Sequence, residues 1–227
     1  MKLLAIDTVT EACSAALWLD GEVEERFEIA PRQHTILILP MVQALLAEAG
    51  MSLAQLDAIA VDRGPGSFTG VRIGTGVVQG LAYAVDLPVV PVSSLATLAQ
   101  AVWQKLRHEN VLALIDARMQ EVYWARYEFQ GKEMVLTGEE QVSPVAQVTM
   151  ANGPASYCVG SGSRQYQDQL QSQPGCQVLA DSAYDFPHAA VLAGLAVHAY
   201  ERNEVVSADQ LEPIYLRNQV VQRKSAS

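Results

Sequence analysis

Cations are scarce in this 227-residue chain: fifteen Lys and Arg stand against twenty-five Asp and Glu, a formal charge of −10, and charged residues of both signs make up only 18 %. Nucleic-acid binding runs on cationic contacts to phosphates, so this balance argues against a chain that binds RNA by itself. Cysteine is nearly absent. Cys13, Cys158 and Cys176 are odd in number, widely spaced and without a CxxC pair, so neither a disulfide framework nor a zinc ribbon is expected. Long apolar runs are missing too. Leu3-Leu4-Ala5-Ile6 is cut at Asp7, too short for a signal peptide. The region 77–102 is interrupted by Asp86, Pro88 and Pro91, and never reaches the ~20 uncharged residues of a membrane span. A cytoplasmic protein is expected, with no membrane contact. What is abundant is apolar side chain, 50 % of the total, which excludes disorder, collagen and coiled coil. The length suits one large or two small domains.

The opening reads as strands at Leu3–Asp7, Cys13–Asp20 and Val23–Ile29, with Asp20-Gly21 turning between the last two. Gln33–Ala47 is an uncharged helix that Pro40 should kink or restart and Gly50 should end. A buried strand at Leu56–Asp62 leads to Gly64-Pro65-Gly66, a pattern that suits a type II turn. A helix over Phe68–Ala84, capped by Ser67 or Thr69, follows, then strand Val89–Val92 and helix Leu95–Leu106. The opening then recurs: Leu3-Leu4-Ala5-Ile6-Asp7 is echoed by Leu112-Ala113-Leu114-Ile115-Asp116, each with a later tryptophan (Trp18, Trp124) and turn glycine (Gly21, Gly131). This points to a duplicated α/β unit with a sheet in each half. Residues 138–187 read as loops and irregular strands, Ala189–Glu201 as an amphipathic helix, and the tail beyond Arg217 as frayed.

The most distinctive stretch is Arg63-Gly64-Pro65-Gly66-Ser67-Phe68-Thr69-Gly70-Val71-Arg72. A glycine turn feeding a helix N-terminus offers free N–H groups to an anion; a tight turn with close helix–strand packing is the alternative. It is not a P-loop, since the Gly-Lys-Ser/Thr ending is absent. Arg72 stands where the helix dipole disfavours a cation, which an anion or a partner's carboxylate would explain. Gly76, Gly80 and Ala84 form one stripe of small residues and Gly70 with Gly74 another. Each interior glycine costs about 1 kcal/mol against alanine, so close approach of a backbone, from the chain's own sheet or a second protein, should compensate. From Gly64 to Gln104 the only charged side chains are Arg72 and Asp86, and Gln33–Ala47 has none. Such helices are apolar on more faces than one sheet can cover. They point to a protein interface made of His34, Ile36, Leu39, Val42, Phe68, Thr69, Arg72, Ile73, Gly76, Val77 and Gly80. Catalytic readings fare worse. The four histidines form no HxxxH or HExxH pair, and Ser67 and Thr69 have no neighbouring base. Asp7 and Asp116, at the ends of two strands where α/β ligand sites tend to lie, would suit Mg²⁺ in a small ATP-dependent phosphotransferase, or only cap turns. Asp7, Ser67 and Arg118 are the candidates for contact with an anion or nucleotide.

Leu4–Thr8, Arg32-Gln33-His34-Thr35 with Leu39-Pro40, Arg63–Gly74, Ile115-Asp116-Ala117-Arg118 and Pro213-Ile214-Tyr215-Leu216-Arg217 together resemble the TsaB (YeaZ) family of bacterial accessory subunits in tRNA threonylcarbamoyladenosine synthesis. The resemblance implies an α/β fold of two lobes, actin-like or heat-shock-ATPase-like, with a duplicated mixed sheet flanked by helices. It divides the chain at 1–102 and 103–188, with residues 189–217 packing back on the first lobe. It implies the catalytic TsaD and the ATPase TsaE as partners, a homodimer in isolation, tRNA reached only through the complex, and pairing through the helices at Gln33–Ala49 and Phe68–Ala84. No cofactor of its own is implied, although a nucleotide at the interface with TsaD stays open. Where TsaD carries its metal-binding histidine pair this chain has Ser94 and Leu98, so that metal site, and a peptidase dependent on it, is not expected. Thr8-Val9-Thr10-Glu11 and Ala117-Arg118 likewise replace the glycines that let backbone touch phosphate.

Overall fold

The computed structural model describes residues 1–149 and 155–217; the tail expected to fray beyond Arg217 lies outside them. The first sheet holds β1 (Lys2–Asp7), β2 (Ala12–Leu19), β3 (Glu22–Ile29), β4 (Ala58–Asp62) and β5 (Val89–Val92). The second holds β6 (Asn110–Asp116), β7 (Glu121–Gln130), β8 (Glu133–Pro144), β9 (Ser156–Val159) and β10 (Cys176–Val178). Each unit begins with an antiparallel three-strand meander, whose first strand then pairs in parallel with the fourth. The spatial orders, β3-β2-β1-β4-β5 and β8-β7-β6-β9-β10, are therefore the same. The repeated Leu-rich strand ending in aspartate reflects a repeated topology.

Alternation along the strands dictates the layers. Leu4, Ile6, Ile59 and Val61 face α1 (His34–Glu48) and α2 (Phe68–Val85), while Leu3, Ala5, Ala58 and Ala60 face α6 (Ala189–Glu201). Small residues on that second face let α6, itself rich in buried alanine, sit close. The helix α3 (Ser94–Leu106) packs through Leu95, Leu98, Ala99 and Val102 on Val111, Ala113 and Ile115. By packing it goes with the second sheet, so a division at 102 cuts a helix. Two short helices, α4 (Ser161–Gln165) and α5 (Gln167–Gln171), complete the second lobe.

Three local expectations are corrected. The helix runs through Pro40 without a break, because the missing hydrogen bond falls on the exposed side, at the carbonyl of Ile36. Gly64–Pro65 is cis with Gly64 at φ +92°, which is not type II geometry. Cys158 and Cys176 are joined in a disulfide. The adjacent parallel strands β9 and β10 bring their Cα atoms within 6.3 Å, a proximity that a spacing of eighteen residues does not announce.

Candidate functional site: an open helix face and a closed cleft

The glycines of α2 fall into two kinds. A Cβ added at Gly70 would lie 2.1 Å from the Thr8 carbonyl oxygen, and one at Gly66, in the preceding turn, 2.4 Å from that of Val9. At Gly74 it would meet the Thr8 hydroxyl at 2.7 Å. These glycines let the helix start press against the turn after β1, and Thr8 Oγ1 donates to the Gly70 carbonyl there (2.7 Å). Gly76 and Gly80 meet nothing within 4 Å. Their side of the helix is open.

That open side is broad. Phe68, Thr69, Arg72, Gly76, Gly80 and Tyr83 are exposed along α2, and Ile36 and Leu39 along the neighbouring α1. Ile36 and Tyr83 keep 68 % and 82 % of their surface in solvent. Ile73 and Val77 are half-buried flanks, in part packed on the core. Two residues expected on this face are not on it. Val42 points into the core, and His34 is buried with Nε2 donating to the Ala12 carbonyl (3.1 Å). A helix apolar all round hides which apolar residues face inward, and the first turn of α1 tucks its histidine against β2. Tyr83 is the exposed residue that periodicity alone passed over.

Arg72 answers for itself locally. Its guanidinium lies 3.4 Å from the centroid of the Phe68 ring and 5.2 Å from that of Tyr215, a cation–π contact that offsets the unfavourable helix dipole. Among the described residues it has no carboxylate partner.

The other candidate site is the region between the lobes, where β1, β4 and β6 each end in aspartate. Every one of these carboxylates accepts a hydrogen bond from the backbone N–H two residues on: Asp7 from Val9 (2.9 Å), Asp62 from Gly64 (2.8 Å) and Asp116 from Arg118 (3.0 Å). The second oxygens differ. That of Asp116 accepts from Arg118 Nη1 (3.0 Å), and Arg118 Nη2 crosses to Glu11 at 2.6 Å. Those of Asp7 and Asp62 are buried with no partner. The parallel register of β1 and β4, ending at Ile6 opposite Val61, places these two carboxyls side by side on one face. Burial is the main cause that lifts Asp7 to about 7. Burial, with Asp7 next to it, also raises Asp62 well above the usual carboxylate range. Nearby, the start of α6 is held by Ser14 Oγ, which accepts from Ala189 N–H (3.0 Å), and by Glu25, which accepts from Ala190 N–H (3.0 Å) and His188 Nδ1 (3.0 Å).

Asp7, Ser67 and Arg118, expected to meet an anion, are each committed elsewhere. Ser67 caps α2 by accepting from Gly70 N–H and gives its own N–H to Val9. Asp7 is buried, and Arg118 is spent on Asp116 and Glu11. The turn after β1 is backed by the glycine-lined start of α2 and carries the Glu11–Arg118 pair. Ser94 donates to the Pro65 carbonyl and Leu98 lies fully buried in the second core. Among the described residues there is no group of three or more His, Cys, Asp or Glu that could hold a metal, and no helix long and apolar enough to cross a membrane.

Sequence reasoning passed over the second bridge between the lobes. Glu140, on β8, accepts from Arg63 (3.3 Å), Ser93 and Tyr127, and these line a cavity of about 260 Å³ whose other walls come from β5, β8, Ala96 of α3, and α6. Asp62 was also passed over, although Ala58-Ile59-Ala60-Val61-Asp62 is a third apolar strand ending in aspartate.

Two lobes built on the same five-strand order define the actin-like, heat-shock-ATPase-like class of fold. A family model described as "TsaD: tRNA N6-adenosine threonylcarbamoyltransferase" matches residues 27–222. The chain is 44 % identical to the tRNA threonylcarbamoyladenosine biosynthesis protein TsaB of Escherichia coli K12, over 99 % of this chain and 98 % of that one. It is 41 % identical to the protein of that name in Haemophilus influenzae, over 99 % and 97 %. The solved structure of YeaZ from Pseudomonas aeruginosa superimposes with a TM-score of 0.88 at 46 % identity, over 95 % and 99 %. The chain belongs to the TsaB (YeaZ) family of tRNA threonylcarbamoyladenosine biosynthesis proteins.

Proposed function

We propose that this chain is a non-catalytic, cytoplasmic subunit that docks through the exposed face of α1 and α2 on the catalytic TsaD, and with it engages TsaE. The complex forms the threonylcarbamoyl group on the adenosine beside the anticodon of tRNAs that read codons beginning with A. In isolation the same face pairs with a second copy. The observation that carries this reading is the contrast within α2, where glycines toward the core are filled by the chain itself and Gly76 and Gly80 face open space. A broad apolar surface of this kind is unusual on a monomer. With a net charge of −10, tRNA is reached through the complex and not by this chain alone. The phosphotransferase reading has less support: Asp116 is engaged by Arg118 through both oxygens, and Asp7 is buried with one oxygen held by the Val9 N–H.

The test is reconstitution of tRNA modification from purified TsaD and TsaE with and without this protein, alongside Gly80→Trp. The variant has room to fold, since nothing lies within 4 Å of the added Cβ. It is expected to melt like the wild type, to lose co-elution with TsaD, and to lose support of modification. Retained co-elution overturns the docking assignment.

A further inference from the structure

The bond between Cys158 and Cys176 lies where a small thiol can reach it. β10 is three residues long, pairs only with β9, and forms the outer edge of its sheet. Cys176 on it is half-buried, whereas Cys158 on β9 is fully buried. The two Cα atoms stand 6.3 Å apart, and backbone bonds hold that placement independently of sulfur. Ser156 N–H donates to the Gly175 carbonyl (2.8 Å), and Leu179 N–H to that of Cys158 (3.1 Å). With the disulfide open the two thiols therefore stay neighbours, one toward solvent and one among Leu112, Leu114 and Leu170. Exposed disulfides are the labile ones, and in a reducing cytoplasm a disulfide is transient or redox-sensing. The loop that this bond closes also touches the region between the lobes. α4 and α5 lie within the spacing of eighteen residues. Ser161 Oγ, at the start of α4, accepts from the Asp116 N–H (3.2 Å), and the Tyr166 hydroxyl donates to Asp116 Oδ1 (3.4 Å). A cross-link across such a loop removes conformations from its open forms.

We propose that Cys158 and Cys176 form a reversible oxidation site, closed by glutathione disulfide and opened by glutathione, whose state sets how firmly the α4–α5 loop holds Asp116. In closing, the Cys176 thiolate attacks one sulfur of glutathione disulfide, which leaves a mixed disulfide and releases a glutathione thiolate. Cys158 then gives its proton to solvent and attacks the Cys176 sulfur, and the second glutathione leaves as thiolate. Two protein thiols are oxidised to one disulfide, and the two electrons reduce one glutathione disulfide to two glutathiones. Opening is the reverse, beginning with attack of glutathione on the Cys176 sulfur. The order follows from access, since only Cys176 is open to solvent. Cys13 takes no part: it is buried, and burial pushes its thiol up to about 12, where the reactive thiolate is scarce. The cellular setting rests on the proposed cytoplasmic location; the exchange chemistry does not.

The experiment equilibrates the folded full chain with mixtures of glutathione and its disulfide, blocks free thiols in denaturant, and counts them by mass. Three free thiols are expected at the reducing end and one, Cys13, at the oxidising end, in a single step. Folded Cys158→Ala should take up one glutathione at Cys176, whereas folded Cys176→Ser should take up none at Cys158. Hydrogen exchange of the oxidised and reduced wild type reads the loop. The amides of Asp116, Tyr166 and Leu170, each bonded in or by the loop, should exchange about tenfold faster once the bond is open, with those of β1 unchanged. A bond that stays closed in excess glutathione, or never closes in excess glutathione disulfide, overturns the site. Glutathione on Cys158 of the Cys176→Ser variant overturns the order of attack, and equal exchange in the two states overturns the hold on Asp116. Thiol blocking in intact cells tests the setting separately: a chain found oxidised there at all times defeats the cytoplasmic reading and leaves the titration standing.

Discussion

The paired carboxyls of β1 and β4 make stability depend on pH in a direction opposite to most surface acids. An unfolded Asp7 loses its proton near 3.8, whereas in the folded chain it keeps it to about 7. Below pH 3.8 both states hold the proton and nothing is lost. Between the two values the folded state binds a proton that the unfolded state has released, so stability falls as pH rises; above 7 the full cost is in place. Three pH units correspond to roughly 4 kcal/mol, a large fraction of the 5–15 kcal/mol typical of a domain. Asp62→Asn removes the neighbouring charge while keeping an oxygen to accept from Gly64 N–H, and its amide can donate to the orphaned oxygen of Asp7. The measurement is urea unfolding of wild type and variant from pH 5 to 8. The difference between the two cancels every group that the substitution leaves unchanged. The variant should gain on the wild type steadily with pH, by about 2 kcal/mol or more across the window. A difference that stays flat, or that narrows with rising pH, refutes the shared burial of these carboxyls.

The two kinds of glycine in α2 predict opposite signs for one substitution. Gly70→Ala forces a Cβ to 2.1 Å from the Thr8 carbonyl and should cost about 3 kcal/mol in thermal unfolding. Gly76→Ala, in open space, should stabilise the monomer by up to about 1 kcal/mol. Glu140→Ala strands three donors between the lobes and should cost about 2 kcal/mol, discounted because Arg63 keeps some solvent. Glu140→Gln, which retains an acceptor, should recover part of that in the same melt.

How much was legible depended on whether a residue's environment was local. The start of α2 followed from its Ser67 cap and the bounds of α6 from periodicity, and the doubled topology from a repeated five-residue strand. The direction in which α1 faces did not. With no charge from Gln33 to Ala47 its polarity carries no information about which side is buried, so Val42 and Ile38 could not be told from Leu39 and Ile36. His34 was misplaced for a related reason: its partner is a carbonyl on β2, twenty-two residues away. The disulfide, the Glu140 bridge and the Arg118–Glu11 pair all join residues from distant segments, and no short motif encodes a contact of that kind. In isolation Glu11 reads as unfavourable to phosphate and Arg118 as a candidate anion contact; only the fold shows that the two pair with each other.

The three strand-end aspartates show why a motif at a ligand-binding position does not by itself make a site. All three spend one oxygen on the N–H two residues later, so the local sequence produces the same turn in each case. What separates them is the remaining oxygen. Asp116 lies near the surface and has an arginine two residues on, which ties it down and, through Glu11, ties the lobes together. Asp7 and Asp62 lie side by side with one oxygen of each unpaired, and burial outweighs the pull of His188 on Asp7 and of Arg63 on Asp62, favouring their neutral forms. A carboxyl that holds its proton is a poor ligand for a cation, and one whose arginine is already engaged offers no free charge to a phosphate. The three strand-end aspartates are thus engaged in local turns, and Asp116 also in the Arg118–Glu11 bridge. The surface the chain leaves unspent is the glycine-notched face of α2, and function is to be sought where the chain has not already satisfied itself.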